Sequence, residues 1–200
     1  MGEKQTFQPL TRQDRITVVL YRTGIVLSAA LIAGLASVQA ASVGAAGAHA
    51  GVLADGLLYG LHASVGLCVI FIHLYVGKFK TFLIGLYLIS LGCLAALLFI
   101  GRGTPAGALG QGPYGPLLLL PLSGCLGFVT AKEAFCFQLF EGYLLAMFMP
   151  ACLLLASAGI MSGRGATSAL FLTAGLLVIF TLRKVFQPLA YDIGDKTAYR

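Results

Sequence analysis

TFLIGLYLISLGCLAALLFI, residues 81–100, carries no charged side chain along its whole length. A strand buried on both faces stops after about four to eight such residues, whereas a helix needs ~20 to cross a hydrocarbon core of ~30 Å. The stretch therefore reads as a membrane helix. Comparable stretches lie on either side, at roughly 16–38, 52–76, 114–131, 143–161 and 167–186, each approaching the ~20 residues a span requires. Strands of a membrane barrel would alternate polar and apolar residues over ~10 positions; these runs are continuous and longer. The expected fold is all-α: a six-helix transmembrane bundle forming one membrane domain over residues 1–200.

The composition agrees. Hydrophobic residues make up 58% of the 200 and charged residues 10%, against about 25% charged in an average soluble protein. The net charge of +6 does not point to nucleic acid, because no basic run or face exists. The cations instead lie between the apolar stretches. With both termini inside, the cytoplasmic segments carry Lys4, Arg12, Arg15, Arg22, Lys78, Lys80, Lys132, Arg183, Lys184, Lys196 and Arg200, and the other side only Arg102 and Arg164. That asymmetry is the positive-inside signal of an even number of spans with cytoplasmic ends. A rival reading takes residues 1–35 as a signal peptide cleaved near Val38-Gln39-Ala40. Arg22 interrupts the apolar region too early for that, whereas a membrane helix tolerates an arginine near its inner end by snorkelling.

Local features follow from the same chemistry. Pro121 and Pro150 predict kinks in the fourth and fifth spans. Residues 39–51 and 101–113 read as outer loops, and residues 1–14 as a polar, mobile or surface-lying segment. Small residues four apart (Gly24 and Ser28, Ala30 and Gly34, Gly56 and Gly60, Gly92 and Ala96) suit close helix packing in lipid. Cys68, Cys93, Cys125 and Cys152 lie in apolar runs as small packing residues, and no CxxC pair exists.

Two places carry chemistry. On the second span Asp55, Tyr59, His62 and His73 fall within roughly 60° of one another at ~100° per residue. Polar side chains at membrane depth suggest function by default, although hydrogen bonding to neighbouring helices or placement at the interfaces also accounts for them. A continuous proton relay is disfavoured because His62 and His73 stand ~16 Å apart along the axis. Bis-histidine haem is disfavoured because the remaining histidine, His49, lies in an outer loop. A single histidine remains able to ligate a pigment or haem metal, so the cofactor stays open. The second place is the inner loop 132–142. There Lys132 and Glu133 mark the membrane exit, Phe135, Phe137 and Phe140 suit an interfacial segment, and Cys136 is the best candidate of the five cysteines for a reactive thiol, with a thiolate that Lys132 would favour and Glu133 oppose. The tail offers Asp192, Asp195 and Lys196. Docked against the loop, Asp192 and Asp195 would pair with Lys132. Gly194-Asp195-Lys196-Thr197 lacks the glycines and strand-to-helix context of a phosphate loop.

Asp14-Arg15 before Tyr21-Arg22, His73-Leu74-Tyr75-Val76 before a basic loop, Lys132-Glu133-Ala134-Phe135-Cys136-Phe137, and Arg183-Lys184 leading to Asp192-Ile193-Gly194-Asp195-Lys196 together resemble an uncharacterised family of small integral membrane proteins of cyanobacteria, other bacteria and plastids. The resemblance spans most of the chain. It implies a bacterial cytoplasmic, thylakoid or plastid membrane and carries over no activity, cofactor or catalytic residue. Three functions follow in order. The first is a non-enzymatic subunit, assembly or binding factor in a membrane complex, with lipid and other membrane subunits as partners. The second is a small-solute or ion transporter using the helix-2 stripe. The last is a histidine-ligated pigment, haem or redox protein. An enzyme is disfavoured because paired carboxylates, a multi-histidine set and a nucleotide loop are lacking.

Overall fold

A computed structural model describes residues 10–42 and 48–193. Six long helices dominate it: α1 (Arg12–Ser42), α2 (Ala48–Phe71), α3 (Gly77–Ile100), α6 (Leu120–Phe137), α7 (Phe140–Ser157) and α8 (Gly163–Val185). Three short ones, α4 (Pro105–Leu109), α5 (Tyr114–Leu117) and α9 (Ala190–Ile193), fill the connections. Among the described residues α1, α2, α3, α7 and α8 are long and apolar enough to cross a membrane. α6, with Lys132 and Glu133 in its last two turns, is the exception, yet it packs against α2, α3 and α7 within the bundle. It buries Leu122, Cys125, Leu126 and Val129 in one continuous core with Tyr21, Ile25, Val65, Val69, Leu145 and Leu177.

Contacts between helix ends fix the topology. Tyr21 and Arg22 of α1 meet groups at the C-terminal ends of α6 and α8. Thr17 of α1 bonds His73, just after α2. Glu141, in the first turn of α7, pairs with Arg183 at the end of α8. So α1, α3 and α7 begin, and α2, α6 and α8 end, on one face, and the six long helices alternate in direction. This is an all-α membrane bundle. Its shared face holds most of the lysines and arginines, which the positive-inside rule assigns to the cytoplasm.

Glycines set the closest crossings. A Cβ on Gly24 would lie 2.7 Å from Cys68 Sγ and 2.8 Å from the Ser64 carbonyl, so α1 and α2 touch nearly backbone to backbone. The Ser28 and Ser64 hydroxyls share a buried 2.9 Å hydrogen bond there. A Cβ on Gly142 would lie 2.5 Å from the Thr130 carbonyl, which brings α7 equally close to α6. Gly34 and Gly60 pack against Leu57 and Leu31, whereas Gly56 and Gly92 meet nothing within 4 Å. Small-residue spacing thus marks real crossings at some positions and open surface at others.

Several boundaries differ from the sequence reading. The predicted fourth span, 114–131, is broken. α5 ends at Leu117, and α6 starts at Leu120 with Pro121 in its first turn, where the missing N–H costs nothing. Pro121 therefore opens a helix rather than kinking one, while Pro150 sits inside α7. The expected loop 132–142 is almost wholly helical. α6 runs to Phe137, Gln138 turns the chain in the left-handed region (φ 54), and α7 begins at Phe140. The segment 39–51 is helical through Ser42 and again from Ala48, in keeping with alanine's high helix propensity; residues 43–47 lie outside the described residues. In the polar segment 1–14 the helix already starts at Arg12, and residues 1–9 lie outside the described residues. Thr11 and Asp14 cap that start reciprocally, each accepting the other's backbone N–H at 3.2 and 2.8 Å. Finally, residues 101–113 are a folded connection with α4 at its centre rather than an open loop.

Candidate functional site

The helix-2 stripe does not stay together. Asp55 is buried, and its Oδ1 accepts the Ala106 N–H at 2.7 Å. Its carboxylate thus closes the N-terminal end of α4, fifty-one residues away. Tyr59 is turned outward, 39% exposed. His62 is 3% exposed; its Nδ1 lies 2.9 Å from the Leu58 carbonyl. That carbonyl only accepts, so Nδ1 carries the proton and Nε2 is a buried lone pair without a hydrogen-bond partner. The Tyr87 hydroxyl donates to the His62 backbone carbonyl at 2.9 Å. Gly66 permits this, because a Cβ there would fall 2.4 Å from the Tyr87 oxygen.

His73 is off the stripe altogether, because α2 ends at Phe71 and the 100° period ends with it. Its Nε2 lies 3.2 Å from Thr17 Oγ1, whose own proton goes to the Asp14 carbonyl. His73 therefore donates through Nε2–H, and Nδ1 is a buried lone pair. Burial first, then the positive charges of Lys132 and Lys80, pushes the His73 pKa below the ordinary histidine value, against the opposing pull of Asp192 and Asp14.

The denser constellation lies at the basic face, where α1, α6, α8 and α9 converge. Lys184 is fully buried. Its ammonium sits 2.5 Å from Glu133 Oε2, contacts Asp192 Oδ1, and stands 3.8 Å above the Phe137 ring. Glu133, equally buried, takes Lys132 Nζ at 2.7 Å and the Tyr21 hydroxyl at 2.8 Å on its other oxygen. Asp192 takes Arg22 Nε at 2.6 Å on Oδ2. The rest of the Arg22 guanidinium donates to the carbonyls of Val185, Gln187 and Pro188, the last carbonyls of α8 and the turn beyond it. The Phe137 and Tyr191 rings meet at a tilt of 50°, with centroids 6.5 Å apart. Three cations and two carboxylates thus share one buried network with one positive charge in excess. Each carboxylate is held by two cations, which is the condition for keeping charge inside a low-dielectric interior.

The tail does lie against α6, but with other partners than the sequence suggested. Lys132 pairs with Glu133, and Asp192 with Arg22 and Lys184; Asp195 and Lys196 lie outside the described residues. Cys136 is exposed, and the neighbouring Lys132 is turned to Glu133. Arg22 and Lys184, read from the sequence as snorkelling and topology charges, are instead buried at the centre of the network, and Tyr21 joins them. Their signal was present as an arginine inside an apolar run and a lysine one residue before the end of the last span, but nothing in one sequence distinguishes a buried cation from an interfacial one. Among the described residues no group of three or more His, Cys, Asp or Glu is placed to hold a metal ion.

The motifs Lys132-Glu133 and Asp192-Ile193 that meet in this network fall inside a family match covering residues 67–200. The chain belongs to the DUF2301 family of uncharacterized integral membrane proteins. It is also 28% identical over 201 residues to an uncharacterized protein of Haemophilus influenzae, a pairing that covers 100% of this chain and 99% of that one. Tyr21 and Arg22 lie before the DUF2301 match but inside the pairing with the Haemophilus protein. No solved structure matches the chain.

Proposed function

We propose that the protein is a non-enzymatic subunit or assembly partner of a membrane complex, and that it receives a partner's transmembrane helix on the outer face of α3. The observation that carries this reading is how little α3 gives to its own bundle. It buries only Leu83, Ser90 and Leu97 of its 24 residues. The remainder presents Phe82, Leu88, Ile89 and Phe99 outward. Gly85 and Gly92 share that face with Ala96, and a Cβ on either glycine would meet nothing within 4 Å. Glycine inside a helix costs about 1 kcal/mol relative to alanine. Within this chain nothing is gained in return, whereas small residues flanked by large ones let a second helix approach closely in lipid. The buried ionisable groups support the same reading, since Asp55, Glu133, Glu141, Lys184 and Asp192 all bind other parts of the fold. The family resemblance supports a bacterial cytoplasmic or thylakoid membrane.

The test places a photo-crosslinking residue at Leu88 and, as a control, at Ile179 on the exposed face of α8, in native membranes. A discrete protein adduct at Leu88 that is lost when Gly85 and Gly92 are both leucine is expected. Adducts to lipid alone at both positions would refute the reading.

A further inference from the structure

Between α1 and the end of α8 a groove of about 360 Å³ opens on the outer surface of the bundle, lined by Val19, Arg22, Thr23, Val26, Leu27, Val185 and Leu189. That volume falls within the range of ligand pockets, roughly 300–1,000 Å³. Its walls are aliphatic apart from Arg22 and Thr23. The groove follows α1: Val19, Arg22 and Val26 lie on one face, and so do Arg12 and Arg15, all five within about 80° at ~100° per residue. Arg12 and Arg15 are exposed, and among the described residues neither makes an ion pair. They stand one to two turns from Val19 toward the basic end, where a lipid headgroup would lie. Four of the five N–H groups of Arg22 are taken by Asp192 and three carbonyls. Its contribution is therefore the excess positive charge of the network behind it. An aliphatic channel with two exposed cations at its mouth and a positive floor complements an amphiphile with an anionic head.

We propose that this groove binds an anionic glycerophospholipid. One acyl chain lies along Val19, Val26, Leu27 and Leu189, and the phosphate faces Arg15 and Arg12. The site is independent of the α3 face. Two basic residues near an anionic lipid are expected to contribute about ten-fold or more in affinity over a zwitterionic lipid, and the preference should weaken with salt.

The test is native mass spectrometry of the full chain in mild detergent, titrated with phosphatidylglycerol or with phosphatidylcholine of the same acyl composition. Wild type is expected to retain phosphatidylglycerol at least about ten-fold more strongly. The Arg12→Gln/Arg15→Gln variant should bind the two lipids equally, and Val26→Trp, which fills the groove, should lose both. Lys78→Gln/Lys80→Gln removes the same charge from the start of α3 and should leave the preference intact. Equal retention by wild type, a preference that survives loss of both arginines, unchanged binding in Val26→Trp, or an equal loss in the Lys78/Lys80 variant would each overturn the site. All of these residues except Lys80 are exposed, so folding is expected to be unaffected. Arg15→Gln alone, expected to show a partial loss, replaces the double variant if that one fails to accumulate.

Discussion

Lys184→Met removes the cation on which the basic-face network turns while keeping the length and apolar stem of the side chain. In the native protein Lys184 is fully buried, 2.5 Å from Glu133 and in contact with Asp192. Without it, the two carboxylates share the space that its ammonium filled. Lys132 and Tyr21 still hold one oxygen of Glu133, and Arg22 still holds one of Asp192. The cost should therefore fall toward the lower end of the 3–5 kcal/mol typical of removing one partner from a buried pair, about 3 kcal/mol. For a chain of this size that lowers the melting midpoint by roughly 6–12 °C. Cys68 and Cys125 are buried free thiols, so a maleimide dye that fluoresces on reaction reports unfolding, with Cys136→Ser removing the exposed thiol. Adding Glu133→Gln to Lys184→Met should cost clearly less than the sum of the single changes, because the two residues act on each other. A Lys184→Met midpoint within 2 °C of the parent, or strict additivity in the double variant, would show that the network does not hold the bundle together.

Three further outcomes follow from the geometry. Asp55→Ala removes the acceptor from Ala106 and should cost about 1 kcal/mol, with protease sensitivity rising selectively near α4, while Asp55→Asn keeps an acceptor and should lose less; equal proteolysis of all three forms would count against the cap. Gly24→Ala forces a Cβ to within 3 Å of Cys68 and of the Ser64 carbonyl and should cost about 1–3 kcal/mol, whereas Gly56→Ala, with open space around it, should be neutral or stabilising by up to ~1 kcal/mol in the same thiol assay. His73 has a depressed pKa in the folded protein, so the unfolded chain binds its proton first as pH falls; stability should be complete above the ordinary histidine pKa of about 6.5 and decline below it, and His73→Gln should flatten that acid limb of the melting-midpoint profile.

The spans were legible because lipid makes a simple demand: about 20 uninterrupted apolar residues announce themselves whatever the tertiary structure. Where that demand was obscured, so was the reading. Leu117 to Leu120 reads as an apolar run inside one span over 114–131, yet α5 stops at Leu117 and α6 begins at Leu120. Apolar composition does not report a break, and Pro121 is as compatible with a first turn as with a kink. Likewise the loop at 101–113 gave no sign of α4, whose N-terminal end is closed by a carboxylate fifty-one residues earlier in the chain. The helix-2 stripe failed for a related reason. A 100° period places Tyr59 only at the edge of the Asp55–His62 face, and it says nothing of His73 once the helix has ended. In the network, the sequence marks Glu133 by its place at a membrane exit and Asp192 by its place in a tail able to dock there, whereas Arg22 and Lys184 merge with the other cations of the positive-inside asymmetry. A snorkelling cation and an ion-paired one share the same sequence position; the difference is made by the partner, which comes from another helix.

That partner choice bears on why charges are buried here at all. A buried ion pair is weak evidence of net stabilisation, since well-packed apolar residues often do as well. In lipid the consideration changes, because the apolar faces of α1, α6 and α8 are much alike and lipid tails compete with them on equal terms. Aliphatic packing alone then distinguishes poorly between neighbouring axial positions of one helix against another. Hydrogen-bonded charges do distinguish them: a one-turn slide of ~5.4 Å would strand Glu133 from Lys184 or Arg22 from the Val185 and Gln187 carbonyls, leaving an unpaired charge in a dry interior. Among the described residues the network joins four separate elements, and Arg22 alone reaches Asp192 on α9, the Val185 carbonyl at the end of α8 and the Gln187 and Pro188 carbonyls in the turn beyond it. The physical role that fits this arrangement is to fix the register of α1, α6 and α8 and to seat the tail, so that the exposed faces of α1 and α3 are presented in one fixed geometry.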